Sequence, residues 1–545
     1  MGKCQNCSAE FEITDLDREF LKKFEAPDPV SCPRCRSQRR TAWRNERNLF
    51  HRKCDLTGQD IVSIYSADSP YVIYEPEAWY GDGWDGMDYG MDFDFDQPFF
   101  PQFMKLFGKV PKMAVHVMNN ENSPYVNQCW YQKNAYLCFD SGFCEDCMYS
   151  YVIYHSKNVL DSSFTRECEI SYYLVDSQKC YGSVYLQDCN GCYDAYFSYD
   201  CRGCNNIAFC SNLRKKEYHI FNKPVSKEEW DEFMKEFKEG SYERFKKYEA
   251  DFKNKVLADA IHKADHNLNV ENVSGDYLVN VKNARESYVA ESCEDIYRCT
   301  RLDERCKDCY DIDHASILEL GYEGYSNAGH NIKYGVMSLH SNDLEYFHTL
   351  VSCKDCFGCC GLKNKKFCVF NKQYSEEEYK ALKKKIIEHM KKHGEYGQFF
   401  PVEDSCHEYN LTCAQERFPM DREEVLAKGW KWRDRDHKEY QAQSCELPDK
   451  IADADEGICD KVLACEITGK NYKIIPQELA FYKKLGLPIP RRCPDQRHLD
   501  RLAMRTPYQL WTKKCDKCGG EVETTYSPER PETVYCEACY LKEVY

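Results

Sequence analysis

CMYSYVIYHSKNVLDSSFTRECEISYYLVDSQKCYGSVYLQDC, residues 147–189, repeats its chemistry every 21 positions. Cys147, Cys168, Cys189 and Cys210 form one column, Tyr151, Tyr172 and Tyr193 a second, and Ser156, Ser177 and Ser198 a third. Cys138, Val159, Cys180 and Cys201 form a fourth, and Ile153, Leu174 and Ala195 add an apolar one. A period near 20 residues points to a solenoid. In a parallel β-solenoid each coil lies one strand spacing above the last, so residues one period apart stack and like residues form ladders. The spacing therefore predicts a β-solenoid block over 115–222. Cys204, Cys210 and Phe221-Asn-Lys return 149 residues later as Cys353, Cys359 and Phe370-Asn-Lys, which predicts a second block over 266–372. Ser226 with Glu229 and Ser375 with Glu378 are capping-box pairs, opening charged helical segments at 223–265 and 373–395.

Outside the repeats, the two ends of the chain are one module written twice. Sliding the sequence by 461 positions lays residues 1–84 on 462–545 without a gap, with roughly two dozen identities. Cys4, Cys32 and Cys54 fall on Cys465, Cys493 and Cys515, and Pro27, Pro29, Gly58 and Tyr74 on Pro488, Pro490, Gly519 and Tyr535. Each copy has room for two four-ligand sites. The first is complete at the N-terminus, as Cys4, Cys7, Cys32 and Cys35; in the other copy Thr468 and Gln496 stand where two ligands would. The second is complete at the C-terminus, as Cys515, Cys518, Cys536 and Cys539; its N-terminal counterpart reads Cys54, Thr57, Glu75 and Ala78. Two residues between cysteines let a tight knuckle aim both sulfurs at one ion, and a distant pair closes the tetrahedron. The expected cofactor is Zn2+, about two per chain. Four thiolates leave no open position, so zinc there organises the fold and does not activate water. A thiol–disulfide pair and an iron–sulfur centre are the competing readings.

Cys4-Gln-Asn-Cys7, Phe11-Glu-Ile-Thr, Arg18-Glu-Phe and Cys32-Pro-Arg-Cys35-Arg resemble the small bacterial zinc-ribbon, or treble-clef, family over about the first 40 residues. The whole chain, with Ile475-Pro-Gln-Glu-Leu and Tyr535-Cys-Glu-Ala-Cys539, is similar to zinc-ribbon proteins of candidate-phyla bacteria. The resemblance implies treble-clef zinc fingers and no particular activity. The chain departs from the family pattern at Thr57, Glu75 and Ala78, where cysteines are common.

Arg36, Arg40 and Arg44 recur as Arg497, Arg501 and Arg505, at a spacing of four that lines one helix face. Guanidinium forks match phosphate oxygens, so these six are the candidate nucleic-acid contacts, to structured RNA or DNA. The same arginines could instead pair with this chain's own acidic loops. Elsewhere the balance is acidic: 74 Lys and Arg stand against 90 Asp and Glu, a net charge of -16, which disfavours general coating of nucleic acid. Neither a signal peptide nor an 18-residue apolar run is visible, so the expected address is cytoplasmic, with no membrane contact and the 35 cysteines as thiols or metal ligands. CxxC pairs inside the blocks (Cys144 and Cys147, Cys189 and Cys192, Cys201 and Cys204, Cys306 and Cys309, Cys353 and Cys356) are read as core thiols, with Cys353, Cys356, Cys359 and Cys360 as the strongest exception.

No phosphate-binding loop, dinucleotide fingerprint, nucleophile elbow or HExxH motif occurs in a usable context. Cys406 and His407 are adjacent, but sequence neighbours seldom face each other. Asp82, Asp85, Asp88, Asp92, Asp94 and Asp96 lack the calcium-loop order and read as a solvated or base-facing loop. The expected architecture is mainly β with α segments. It comprises an N-terminal zinc-finger module (1–84), an acidic and aromatic connector (85–114), solenoid block 1 (115–222), a charged helical segment (223–265), solenoid block 2 (266–372), a helical segment (373–395), a connector (396–461) and the duplicate zinc-finger module (462–545). The expected function is a noncatalytic zinc-binding scaffold for a macromolecular partner, with nucleic acid reached through the basic finger helices. The alternatives are an enzyme acting on a polymer in a solenoid groove and a thiol-rich metal or redox buffer.

Overall fold

A computed structural model describes residues 2–303, 306–316, 318–434 and 440–545, with the side chain of Ser316 left aside. The chain is mainly β, and its core is two ladders of parallel strands. In the first, Tyr151 pairs with Ser163, Tyr172 with Val184 and Leu186 with Ser198, each partner twelve residues further on. The second keeps the same offset from Tyr288 and Thr300 to Asn342 and Lys354, rising to thirteen between Ile296 and Cys309. One coil is thus twelve residues.

The 21-residue stacking expected from the sequence is corrected by this register. From Gln128 to Phe221 every third residue has a positive φ, so each coil is four three-residue sides joined by left-handed corners. Three residues of strand span about 10 Å, so four sides enclose a lumen with room for small side chains only. The inward residues are Cys138, Ser141, Cys144, Cys147, Ser150, Ile153, Ser156 and onward in steps of three, none more than 2 % exposed. Cys147, Cys168, Cys189 and Cys210 all point inward because 21 is a multiple of three, yet they lie on four different sides and do not stack.

Left-handed corners disfavour residues with a Cβ, Asn and Asp least. Many corners are Asn or Asp, and their side chains bond from coil to coil, as in Asn134 to Asp146 at 2.9 Å and Asn331 to Asp343 at 2.8 Å. Inside, the serines satisfy backbone groups. Ser177 Oγ donates to the Val175 carbonyl at 2.9 Å and accepts from the Cys189 amide at 3.1 Å. Ser177→Ala is expected to cost about 1–3 kcal/mol by leaving that amide without a partner, seen as faster hydrogen exchange at Cys189.

The Phe-Asn-Lys echo marks where each ladder ends. Glu217–Ile220 turns back on Lys223–Pro224, and Lys366–Val369 on Lys372–Gln373, both antiparallel. Asn222 and Asn371 bond both backbone groups of the preceding coil at Ser211 and Cys360, which closes the edge against further pairing. The capping-box helices Lys227–Phe237 and Glu376–Lys392 follow directly.

Outside the coils, every twelfth residue builds an apolar stripe. Met148, Leu160, Tyr172, Val184, Tyr196 and Ala208 form it on the first block, covered by Trp230, Phe237, Phe245, Leu479, Phe481 and Tyr482. Tyr310, Tyr322, Tyr334 and Tyr346 form it on the second, with successive rings 4.6–5.4 Å apart, covered by Phe20, Phe24 and the helix Phe99–Lys109. Each terminal segment therefore packs on the block remote from it in sequence: residues near the N-terminus on the second block, residues near the C-terminus on the first. In the segment expected as an acidic connector, Asp85 and Asp92 reach Lys365 and Lys372, each at 2.6 Å.

Candidate metal centres

Both ends run through the same elements at an offset of 461. Gly2–Lys3, Glu10–Phe11, Asp15–Lys23, Pro33–Thr41, Phe50–Lys53 and Asp60–Ser63 correspond to Leu463–Ala464, Asn471–Tyr472, Pro476–Leu485, Pro494–Ala503, Trp511–Lys514 and Glu521–Thr524. Four knuckles result, at Cys4, Cys54, Cys465 and Cys515. In each, the residue four positions on donates its amide to the cysteine carbonyl at 2.8–2.9 Å and sits in the left-handed region: Ser8, Gly58, Gly469 and Gly519. Glycine fills three of these turns because a Cβ is disfavoured there.

Of the four knuckles, two carry a complete ligand set. Among the described residues, Cys4, Cys7, Cys32 and Cys35 form one group and Cys515, Cys518, Cys536 and Cys539 the other, each with all four sulfurs within 4.8 Å of one another. Cys7 and Cys32 sulfurs are 3.8 Å apart, as are those of Cys518 and Cys536. A tetrahedron of 2.3 Å zinc–sulfur bonds has edges of about 3.8 Å, so the donor sets fit the ion without rearrangement. Amides support the sulfurs: Cys32 N–H donates to Cys4 Sγ at 3.3 Å and Cys536 N–H to Cys515 Sγ at 3.2 Å. A hydrogen bond from Cys35 holds the Cys32 thiol down at about 5. Around Cys515 burial is outweighed by the backbone amides of Cys518 and Cys536, which bring it to about 6. Each quartet thus favours thiolate at one sulfur, while hydrogen bonds to Cys32 and Cys536 push the Cys35 and Cys539 thiols up.

At the incomplete knuckles, hydrogen bonds stand where a metal would. Thr57 Oγ1 donates to Glu75 at 2.7 Å beside Cys54, whose sulfur accepts from the Glu75 amide at 3.4 Å. Thr468 Oγ1 lies 4.0 Å from Cys493 Sγ in the other copy.

The second cysteine pair of the N-terminal quartet opens the helix Pro33–Thr41, and its counterpart opens Pro494–Ala503. These helices carry Arg36, Arg40, Arg497 and Arg501, with Arg44 and Arg505 just past their ends, and the structure corrects the assignment of these arginines to nucleic acid. Arg36, Arg40 and Arg501 are each no more than 1 % exposed, and Arg44, Arg497 and Arg505 are buried with them. Arg36 Nε bonds Asp311 at 2.6 Å, Arg40 bonds Asp313 through Nε at 2.8 Å and Glu323 through Nη1 at 3.2 Å, and Arg44 pairs with Glu46 at 2.8 Å. In the other copy Arg497 and Arg501 share Asp161, Arg501 at 2.9 Å, while Arg505 meets Asp176 at 2.7 Å over the ring of Phe164. No phosphate can reach side chains so enclosed. The same spacing that would seat a nucleic-acid backbone instead fastens each finger to a coil block.

Sequence reasoning missed the buried carboxylates that complete these joints. Asp17 and Glu478, at equivalent positions of the duplicated module, are both buried. Asp17 accepts from Tyr310 and Arg298, each at 2.5 Å, and Glu478 from Tyr149 at 2.8 Å and Arg497 at 3.2 Å. Burial works against charge on Glu46, yet Arg301 and Arg44 hold its carboxyl well below the usual range. Between the blocks, a cavity of about 100 Å³ is lined by Arg166, Arg301, Asp140, Asp303 and His314. Arg166 pairs there with Asp303 and Glu291, and Arg301 with Asp140.

Cys406 and His407 do not form a nucleophile pair. Burial pushes the thiol up to about 11 and the imidazole down to about 3, and the His407 ring stacks on Tyr65 at 5.1 Å. Cys360 parts from Cys353, Cys356 and Cys359: it joins the outer cluster with Phe107 while the other three line the lumen. No helix among the described residues is long and apolar enough to cross a membrane.

No protein-family model and no curated protein matches the chain. Among solved structures, it is similar to a candidate acetyltransferase of Desulfovibrio desulfuricans G20 at 11% identity over 48% of this chain and 69% of that one, with a TM-score of 0.11.

Proposed function

We propose that the protein is a noncatalytic scaffold in which two zinc-bearing treble-clef fingers clamp two β-solenoid blocks into one rigid body for a macromolecular partner. The observation that carries this reading is the joint between finger and coil. The N-terminal quartet leads into a helix whose buried arginines end on carboxylates of a block far away in sequence, and the C-terminal module repeats that joint through Arg497 and Arg501 on Asp161. Four thiolates saturate a tetrahedral ion, so the metal serves the joint and offers no position to a substrate. Zinc is favoured by the tetrahedral sulfur set and the resemblance to zinc-ribbon proteins supports it. Thirty-five unpaired cysteines are consistent with a reducing, cytoplasmic setting.

With the finger arginines turned inward and a net charge of -16, the partner that fits is a protein with a basic surface, steered by long-range attraction. Elemental analysis of the purified chain is expected to give about two zinc ions. Chelation is expected to open the joint to protease near residues 33–41, while 494–503, which follows the metal-free knuckle, and the coil interiors stay protected. A chain with no tightly held metal, or one whose cleavage pattern ignores chelation, defeats the reading.

A further inference from the structure

His116, His348 and His407 come from three distant stretches of chain, yet together with Arg44 they line one cavity of about 20 Å³. It lies where the N-terminal module, the first coils of block 1, the later coils of block 2 and the connector meet. Arg44, His348 and His407 are each 5 % exposed or less. Arg44 turns Nη2 to Glu46 at 2.8 Å and lays its guanidinium over the Tyr325 ring at 4.5 Å. Its Nε and Nη1, and Nδ1 of His116, are buried and have no hydrogen-bond partner among the described residues. Folded proteins rarely leave buried donors in that state.

Charge around the cavity is one-sided. Among the described residues that line it there is no carboxylate. The acids that Arg44 does meet, Glu46 and Asp140, are matched by Arg301. Lys112 adds a buried ammonium: it bonds the carbonyls of Phe107 and Val110 and lies 3.9 Å over the Phe107 ring, on which His348 also packs at 4.8 Å. Lys431 bonds the Ser405 carbonyl at 2.6 Å, and the Ser405 hydroxyl accepts from the His407 amide at 3.1 Å. Burial, reinforced by Arg44 at His116 and by Lys431 at His407, pushes these imidazoles down to about 4 and about 3. The rings therefore bring N–H donors without bringing charge of their own.

We propose that this cavity is a binding site for one monovalent anion of halide size, chloride in the first place, held by the free edge of Arg44 and the imidazole N–H groups. Size sets the class: one water-sized sphere needs about 10–15 Å³, so the cavity takes a single small ion and has no room for the four oxygens of phosphate or sulfate. Sign follows from the lining, since an anion accepts from every donor and offsets the guanidinium and ammonium charge as well. Three imidazoles could suit a transition metal. Here their ligand atoms do not gather within 4.8 Å as those of the two quartets do, and Arg44 repels a cation. A lone ion is taken up on folding or through local opening, a route closed to a nucleic-acid backbone.

The site uses no zinc ligand, so it stands apart from the scaffold reading, and zinc content measured alongside keeps the two separable. The test titrates the full-length, zinc-loaded chain with chloride at fixed ionic strength, sulfate balancing the salt. Chloride NMR line broadening reports binding, and thermal unfolding reports the linked stability. The expected result is saturable broadening from one ion per chain, displaced by bromide, with a midpoint that rises with chloride. Arg44→Met is expected to weaken binding at least tenfold; Glu46 keeps Arg301 at 2.8 Å and Tyr151 at 2.6 Å in that variant. Should it fail to fold, His407→Phe, which retains a ring against Tyr65, is expected to show the same loss. No saturable broadening, broadening that both variants preserve, or a midpoint set by ionic strength alone overturns the proposal.

Discussion

A chain carrying Cys4→Ser, Cys7→Ser, Cys32→Ser and Cys35→Ser is expected to bind one metal ion fewer and to release the helix Pro33–Thr41 from the second block. Cys32 caps that helix and Cys35 lies one turn inside it, next to Arg36. With the ion gone, the helix loses the anchor that directs Arg36 and Arg40 at Asp311, Asp313 and Glu323. Asp311 and Glu323 then lose the arginines that face them, while Asp313 keeps Arg417 at 2.7 Å; a broken buried pair costs about 3–5 kcal/mol. The contacts of Phe20 and Phe24 with Tyr310 and Tyr322 resist full detachment. The measured outcome is therefore a metal count that drops from two to one, with hydrogen-exchange protection lost over 33–41 before the coils open. Cys465→Ser with Cys493→Ser is the contrast: that knuckle lacks two ligands, so the metal count should not change.

Asp161→Ala should be the most damaging single substitution on the first block. Asp161 is fully buried and is shared by Arg497 and Arg501, which approach from one face of Pro494–Ala503. Its removal leaves two guanidiniums in a site that water does not reach, at about 3–5 kcal/mol. Denaturant unfolding would report the loss as a lowered midpoint. Asp15, fully exposed and 3.4 Å from Arg18, provides the control, and Asp15→Ala should leave the midpoint where it is.

The quartets were legible in the sequence because the knuckle is local: two intervening residues and a left-handed turn are written in adjacent letters. The vestigial sites were legible for the same reason, Thr57 and Thr468 standing in the second-ligand position. The ladder was legible only in kind. Parallel stacking follows from any strong column, but its true period hides behind the triplet, since 21 and 12 are both multiples of three and a cysteine that faces the lumen looks alike under either. The corner aspartates Asp176, Asp188 and Asp200, twelve apart, carried the right number. Spacing alone placed Arg36, Arg40 and Arg44 on one helix face; the helix holds the first two and ends at Thr41, before Arg44. Their destination was invisible because a guanidinium suits a carboxylate as well as a phosphate, and Asp311 and Asp313 lie more than 270 positions further along the chain.

The left-handed corner at every third residue has a consequence for how such a chain can change length. Removing twelve residues would take out one whole storey, and the storeys on either side would meet with every inward group still inward. Removing three would keep lumen and surface apart but turn everything downstream by a quarter revolution, carrying Asp161 or Asp311 away from the finger that grips it. Loss of a single residue would swap inside for outside. Growth and shrinkage of the molecule are therefore quantised, with the fingers as the gauge that admits only whole storeys.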